Sequence, residues 1–212
     1  MSAVTTHHDN EHAYVHELSY VEQLRNNRLG LWLFCFSEIF LFFALLGSRF
    51  ILWGNTRPDL SQQVGLVTTA VLLISSFFVY RGETAMEHGD RQTFLNSYLI
   101  AAILGAIFFM GVVGLEWNVF GLEIEIAGIE VTGHLHPSDG VIAGIFFAMT
   151  GMHSLHVLTG VIFLLIVWNN GRRGHFSPEK HWGVEACAIY WHYVDVIWVF
   201  FYPALYLIGT PV

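Results

Sequence analysis

The sequence predicts an all-α membrane protein, a bundle of five transmembrane helices, and three observations carry that prediction. Five long apolar runs fill most of the 212 residues. Few charges interrupt them, although the chain holds 9 basic and 17 acidic residues. Each run is long enough to supply the roughly 20 helical residues that a hydrocarbon layer requires. A waterless layer demands that backbone groups bond internally, so these runs read as helices and not as the alternating strands of a barrel.

The first span covers residues 29–53 and carries only Glu38 and Arg49 as charges. The second, 60–80, and the third, 92–115, carry none. The fourth, about 140–168, has no charged residue beside its two histidines, and the fifth, 184–208, holds Glu185, His192 and Asp195. Residues 1–28 are expected to form a polar N-terminal segment and 29–212 the membrane domain. This segment lacks the basic start and short apolar core of a cleavable signal, so the first helix is expected to be retained.

Basic residues concentrate on cytoplasmic segments and orient the bundle. Arg25, Arg28, Arg81, Arg91, Arg172, Arg173 and Lys180 fall on one side. Only Arg49 and Arg57 fall on the other, where the connection from Glu116 to Asp139 has acids and no base. The N-terminus is therefore expected inside and the C-terminus outside. Trp53, Trp117, Trp168 and Trp182 suit an interfacial aromatic belt, whereas Trp191 and Trp198 lie within the fifth span and need another reason.

A net charge of -8, sited mostly outside the spans, offers no basic surface and excludes nucleic acid as a partner. Cys35 and Cys187 stand singly in different spans, which argues for packing and against a disulfide framework or thiolate metal cluster. His7, His8, His12 and His16 match no closed ligand spacing, so the N-terminal segment reads as a polar tail. There is no repeat of 20 to 50 residues.

An ionisable group within a bilayer is costly, by roughly 2.5 kcal/mol or more for a charged one at mid-depth, so function is sought at such groups. At about 1.5 Å of rise per residue, Glu38 lies about 13 Å deep, His192 and Asp195 about 12 and 16 Å, and His156 about 18 Å. His153 and His156 are three apart and expected to face one way, as are His192 and Asp195, with Glu185 extending that stripe. The candidate site is thus a buried polar layer of Glu38, His153, His156, Glu185, His192 and Asp195. Such a layer can bond helices together, relay protons, seat lipid or water, or ligate a cofactor. Haem held between opposed helices usually needs facing histidine pairs, and only His156 with His192 offers one. No phosphate loop or metalloprotease HExxH motif occurs, so no catalytic residue or metal site is assigned.

The run 184–198, VEACAIYWHYVDVIW, resembles the last-helix signature of subunit III of the haem-copper cytochrome c oxidases. The run 146–160, FFAMTGMHSLHVLTG, resembles that family's paired-histidine helix, and 37–43, SEIFLFF, its buried-glutamate helix. The three motifs occur in order, and the resemblance spans residues 29–209, in the manner of the shorter five-helix bacterial form.

The resemblance implies a bacterial inner (plasma) membrane subunit without haem or copper of its own, both metals belonging to partner subunits. It implies packing on subunit I, association with subunit II and other respiratory-complex subunits, bound phospholipid, and support of proton uptake and active-site integrity. Glu38 would be the buried carboxylate that reacts with carbodiimides, and His156 its partner. His153, His192, Asp195 and Glu185 match further polar positions, and Arg172 and Arg173 are candidates for lipid headgroups. Rival readings are the third subunit of a quinol oxidase or nitric-oxide reductase, a free-standing haem-binding electron carrier, and a transporter or proton channel. The last lacks the paired broken helices and internal symmetry expected of transporters.

Overall fold

The computed structural model describes residues 19–119, 125–126, 129–130 and 135–211. The histidine-rich start, with His7, His8, His12 and His16, lies outside the described residues, as does Glu123. Five helices follow one another: α1 Tyr20–Trp53, α2 Gln62–Glu87, α3 Arg91–Phe109, α4 Val141–Arg172 and α5 Trp182–Tyr202. Helix α3 continues as a π-helix over Met110–Glu116, and α5 as a π-helix over Pro203–Leu207. All five are long and apolar enough to cross a membrane.

The helices outrun the apolar spans at the end that carries most of the basic residues. Helix α1 starts at Tyr20 and not near residue 29, α2 runs on to Glu87, and α4 to Arg172. Polarity does not end a helix; a cap does. Ser19 accepts the Glu22 backbone N–H at 3.4 Å while the Glu22 carboxylate accepts the Ser19 N–H at 2.9 Å, a reciprocal capping box at the head of α1. After α2 the chain reverses through Gly89, whose φ of 77° suits glycine, and Asp90 caps α3 by accepting the Thr93 N–H at 3.0 Å.

Helices α2 to α5 pack together, α2 on α3 and α5, α4 on α3 and α5, while α1 leans on α4 and α5 and has no comparable packing against α2. Close approach in the core depends on small residues facing large rings. The Trp191 ring lies against Gly105 of α3 and Gly160 of α4, where an added Cβ would stand 2.4 and 2.8 Å from it. The two mid-span tryptophans of α5 find their polar partners on α2. Trp191 Nε1 donates to Ser75 Oγ at 3.0 Å, and Trp198 Nε1 to Thr69 Oγ1 at 2.9 Å.

Among the described residues there are also four two-residue strands: β1 Thr56–Arg57, β2 Glu125–Ile126, β3 Ile129–Glu130 and β4 Thr210–Pro211. β2 pairs antiparallel with β3, while β1 pairs in parallel with β4 and ties the chain after α1 to the end of α5.

Three sequence expectations change at the end of the bundle bearing β1 and β4. Trp53 is buried beneath the Arg49 guanidinium, 5.0 Å from its ring, and Trp117 donates to Thr150 Oγ1 at 3.1 Å, so both serve internal packing and not only an interfacial belt. Glu116 belongs to the end of the third membrane-crossing helix and is buried, accepting the Tyr206 hydroxyl at 2.6 Å. Arg49 and Arg57, the two basic residues on the acidic side, are both buried. They are packing elements, so they do not count as surface charges in the orientation argument.

Candidate functional site

Glu38 and His156 meet where α1 crosses α4. His156 Nδ1 lies 2.8 Å from the Met152 carbonyl, which can only accept, so that nitrogen carries hydrogen. His156 Nε2 then faces Glu38 Oε2 at 3.3 Å across a single proton. The pair is neutral with that proton on the carboxyl and ionic with it on the imidazole. Its side chains are 11% exposed for His156 and 24% for Glu38, so the carboxyl reaches the outer surface of the bundle while the imidazole lies behind it. The Phe42 ring meets His156 edge-on at 4.8 Å. Tyr190 of α5 donates to the His156 carbonyl at 3.1 Å and shares a hydrogen bond with Thr159 at 2.7 Å. The ring is held by α1 and α4, and the His156 backbone by α5.

His153 does not share that surface. It is fully buried, its ring stacked on Trp198 at 4.7 Å and meeting the Phe108 edge at 5.7 Å, with no hydrogen bond on either nitrogen among the described residues. A three-residue step leaves two side chains about 60° apart around the helix, and here α1 meets one histidine while the α3–α5 interior encloses the other.

His192 and Asp195 lie on the α2 side of α5. His192 Nδ1 shares a 2.6 Å hydrogen bond with Ser76 Oγ. Ser76 also neighbours the Asp195 carboxyl, whose oxygens are buried and carry no ordinary hydrogen bond among the described residues. His156 and His192 thus bond to different helices, and no hydrogen bond or ion pair joins the two pairs among the described residues. Glu185 turns instead towards α1, where Arg28 grips it bidentately, Nε to Oε1 at 2.6 Å and a terminal nitrogen to Oε2 at 2.8 Å. The polar residues therefore divide among the α1–α4 contact, the α2–α5 contact, the core and the α1–α5 end. Among the described residues no three His, Cys, Asp or Glu side chains come together as a ligand set.

Arg172 and Arg173 are exposed at the end of α4, with Arg172 stacked 4.9 Å above the Trp168 ring. Arg91 supports the same end by donating to the carbonyls of Gly171, at 3.0 Å, and Arg172.

Sequence reasoning missed Ser76, Thr159 and Tyr190, and also Arg28 as the partner of Glu185. It missed the Trp–Ser/Thr pairs too, Trp191 with Ser75 and Trp198 with Thr69, because periodicity within one helix does not say which helix lies beside it.

The family model "Cytochrome c oxidase subunit III" matches residues 11–210. Relatives named "Cytochrome c oxidase subunit 3" include one from Thermostichus vulcanus, 32% identical over 187 residues that cover 85% of this chain and 86% of the relative. One from Gadus morhua is 33% identical over 196 residues, 86% of this chain and 70% of its own. A third, from Synechocystis sp., is 32% identical over 191 residues, covering 87% and 76%. With five helices of membrane-crossing length and apolarity, and a family match over almost its whole sequence, this chain is a multi-pass membrane protein that belongs to the cytochrome c oxidase subunit III family.

Proposed function

We propose that this chain is the non-redox accessory subunit of a proton-pumping haem-copper terminal oxidase that passes electrons from cytochrome c to oxygen in a bacterial plasma membrane. It packs on subunit I, beside subunit II, binds phospholipid, and supports proton uptake and the integrity of the partner's active site. The observation that carries this reading is the Glu38–His156 pair, a carboxyl and an imidazole sharing one proton at the surface of an apolar helix. Such a pair can accept or release a proton without a cofactor, and in its neutral form it presents the protonated carboxyl that carbodiimides attack. Haem and copper stay with the partners. The N-terminus faces the cytoplasm, a reading supported by seven basic residues at one end and by the burial of the two at the other. Arg172 and Arg173, exposed at the basic end, are the headgroup contacts.

The test is Glu38→Ala in the native complex. Haem spectra should be unchanged, carbodiimide labelling of this chain abolished, and the number of turnovers before inactivation reduced. Persistent labelling with an unchanged turnover lifetime would refute the role given to Glu38.

A further inference from the structure

The groove between α1 and α2 carries a polar group that neither the fold nor the Glu38–His156 pair uses. Its floor is the face of α5 bearing His192, Val196 and Val199, since α1 and α2 both pack on α5 but not substantially on each other. Val196 and Val199 are about half exposed, as are Leu73 on the α2 wall and Phe43 on the α1 wall. At one end the Arg28–Glu185 pair bridges α1 and α5, and at the other the paired strands β1 and β4 close the gap. Val196, Val199, Leu73 and Phe43 make the opening between them largely apolar, and Ser76 and His192 bring polar groups to it.

His192 is held by Ser76 through Nδ1 and is only partly buried. Its Nε2 has no hydrogen-bond partner among the described residues. The position is ten residues into α5, about 15 Å from its start and near the middle of the span. A ring nitrogen left unpaired there costs free energy, because hydrocarbon offers neither donor nor acceptor. Phospholipid headgroups lie at the two interfaces and do not reach this depth. What does reach it is a polar side chain on another transmembrane helix.

We infer that the α1–α2 groove is the seat of a transmembrane helix of a neighbouring oxidase subunit, which bonds to His192 Nε2 through a hydroxyl, amide or carboxyl side chain. The inference rests on the accessory-subunit reading and assigns the face through which the partner is held. Ser76 fixes the imidazole, so that Nε2 is presented in one direction whether it donates or accepts. The apolar walls supply the contact area and the single polar group sets the register, the division of labour expected between membrane helices.

The test uses the complex in native membranes, with a photoreactive benzophenone side chain installed at Val196, and follows retention of this chain through detergent exchange in His192→Leu and His192→Gln. Illumination should join the chain to a partner polypeptide. His192→Leu should be lost roughly three- to tenfold faster than the parent, as one interhelical hydrogen bond implies, and His192→Gln, which keeps a donor and an acceptor, should be retained better than His192→Leu. Adducts with lipid alone, or equal retention of the three proteins, would overturn the inference while leaving the accessory role standing. A chain that purifies with no oxidase polypeptide overturns both.

Discussion

The Arg49 guanidinium donates from Nε to the carbonyl of Ala204 at 2.6 Å, joining residues 155 apart in sequence. Its terminal nitrogens reach the carbonyls of Gly54, at 3.1 Å, Thr56, at 3.4 Å, and Ile208. The side chain is wholly buried and stacks against Phe50 and Trp53 at 4.9 and 5.0 Å. The π-helical end of α5 and the chain leaving α1 are thus gathered around one cation, whose planar fork satisfies carbonyls that would otherwise be unpaired.

Arg49→Leu should therefore destabilise the bundle by about 3 kcal/mol or more, because it strands several buried carbonyls at once. Arg49→Lys should recover little, since an ammonium cannot span the same set of acceptors. Denaturant titration of the purified protein in mixed micelles measures both. A loss below about 1 kcal/mol for Arg49→Leu would show that the clamp contributes little.

The indole bonds between α5 and α2 should be separable from the packing of the same rings. A double-mutant cycle pairing Trp198→Phe with Thr69→Val should give a coupling of about 0.6 kcal/mol, with about 1.7 kcal/mol as the upper end for membrane proteins. The Trp191 and Ser75 cycle should behave likewise. Zero coupling in both cycles would show that the rings act through contact area alone.

Glycines facing Trp191 should be intolerant of even one methyl group. Gly105→Ala and Gly160→Ala are expected to cost about 1–3 kcal/mol each, as overpacked core substitutions do. Gly144→Ala, where nothing lies within 4 Å of the added carbon, should be neutral or favourable. Thermal unfolding of the three variants in one detergent ranks them directly.

Outside the spans, the Asp90 cap makes a pH prediction. Hydrogen bonds from Thr93, side chain first and then backbone N–H, hold the Asp90 carboxyl below the usual carboxylate range. A lowered folded-state value means that its contribution is present above the unfolded value, near pH 3.9, and is lost as pH falls through the lower folded value. Asp90→Asn should remove that part of the acid sensitivity, read as the difference between the acid unfolding curves of the two proteins.

The helices were legible in the sequence because hydrocarbon imposes length and apolarity on a span whatever it packs against. Their true ends were not, because Tyr20 to Arg28 is polar yet helical, started by the Ser19–Glu22 box, which hydropathy does not register. Rise per residue alone set an expected depth for Glu38, His156, His192 and Asp195. Their partners did not follow, since which helix lies beside which is a property of the bundle. His153 and His156 show the limit: residues three apart share a broad face, yet the crossing of α1 and α3 with α4 sends one ring to a carboxyl and the other beneath an indole. Arg49 and Arg57 counted in the charge balance of their side because sequence position carries no information about their burial.

The central claim, that this chain organises membrane protein and proton chemistry beside a redox partner and grips no prosthetic group, is tested most directly by isolating the native complex through this chain and then stripping the chain away. Haem absorbance and copper should remain wholly with the stripped partner polypeptides, whose turnover lifetime should shorten. Haem or copper present stoichiometrically in the separated chain would contradict the account.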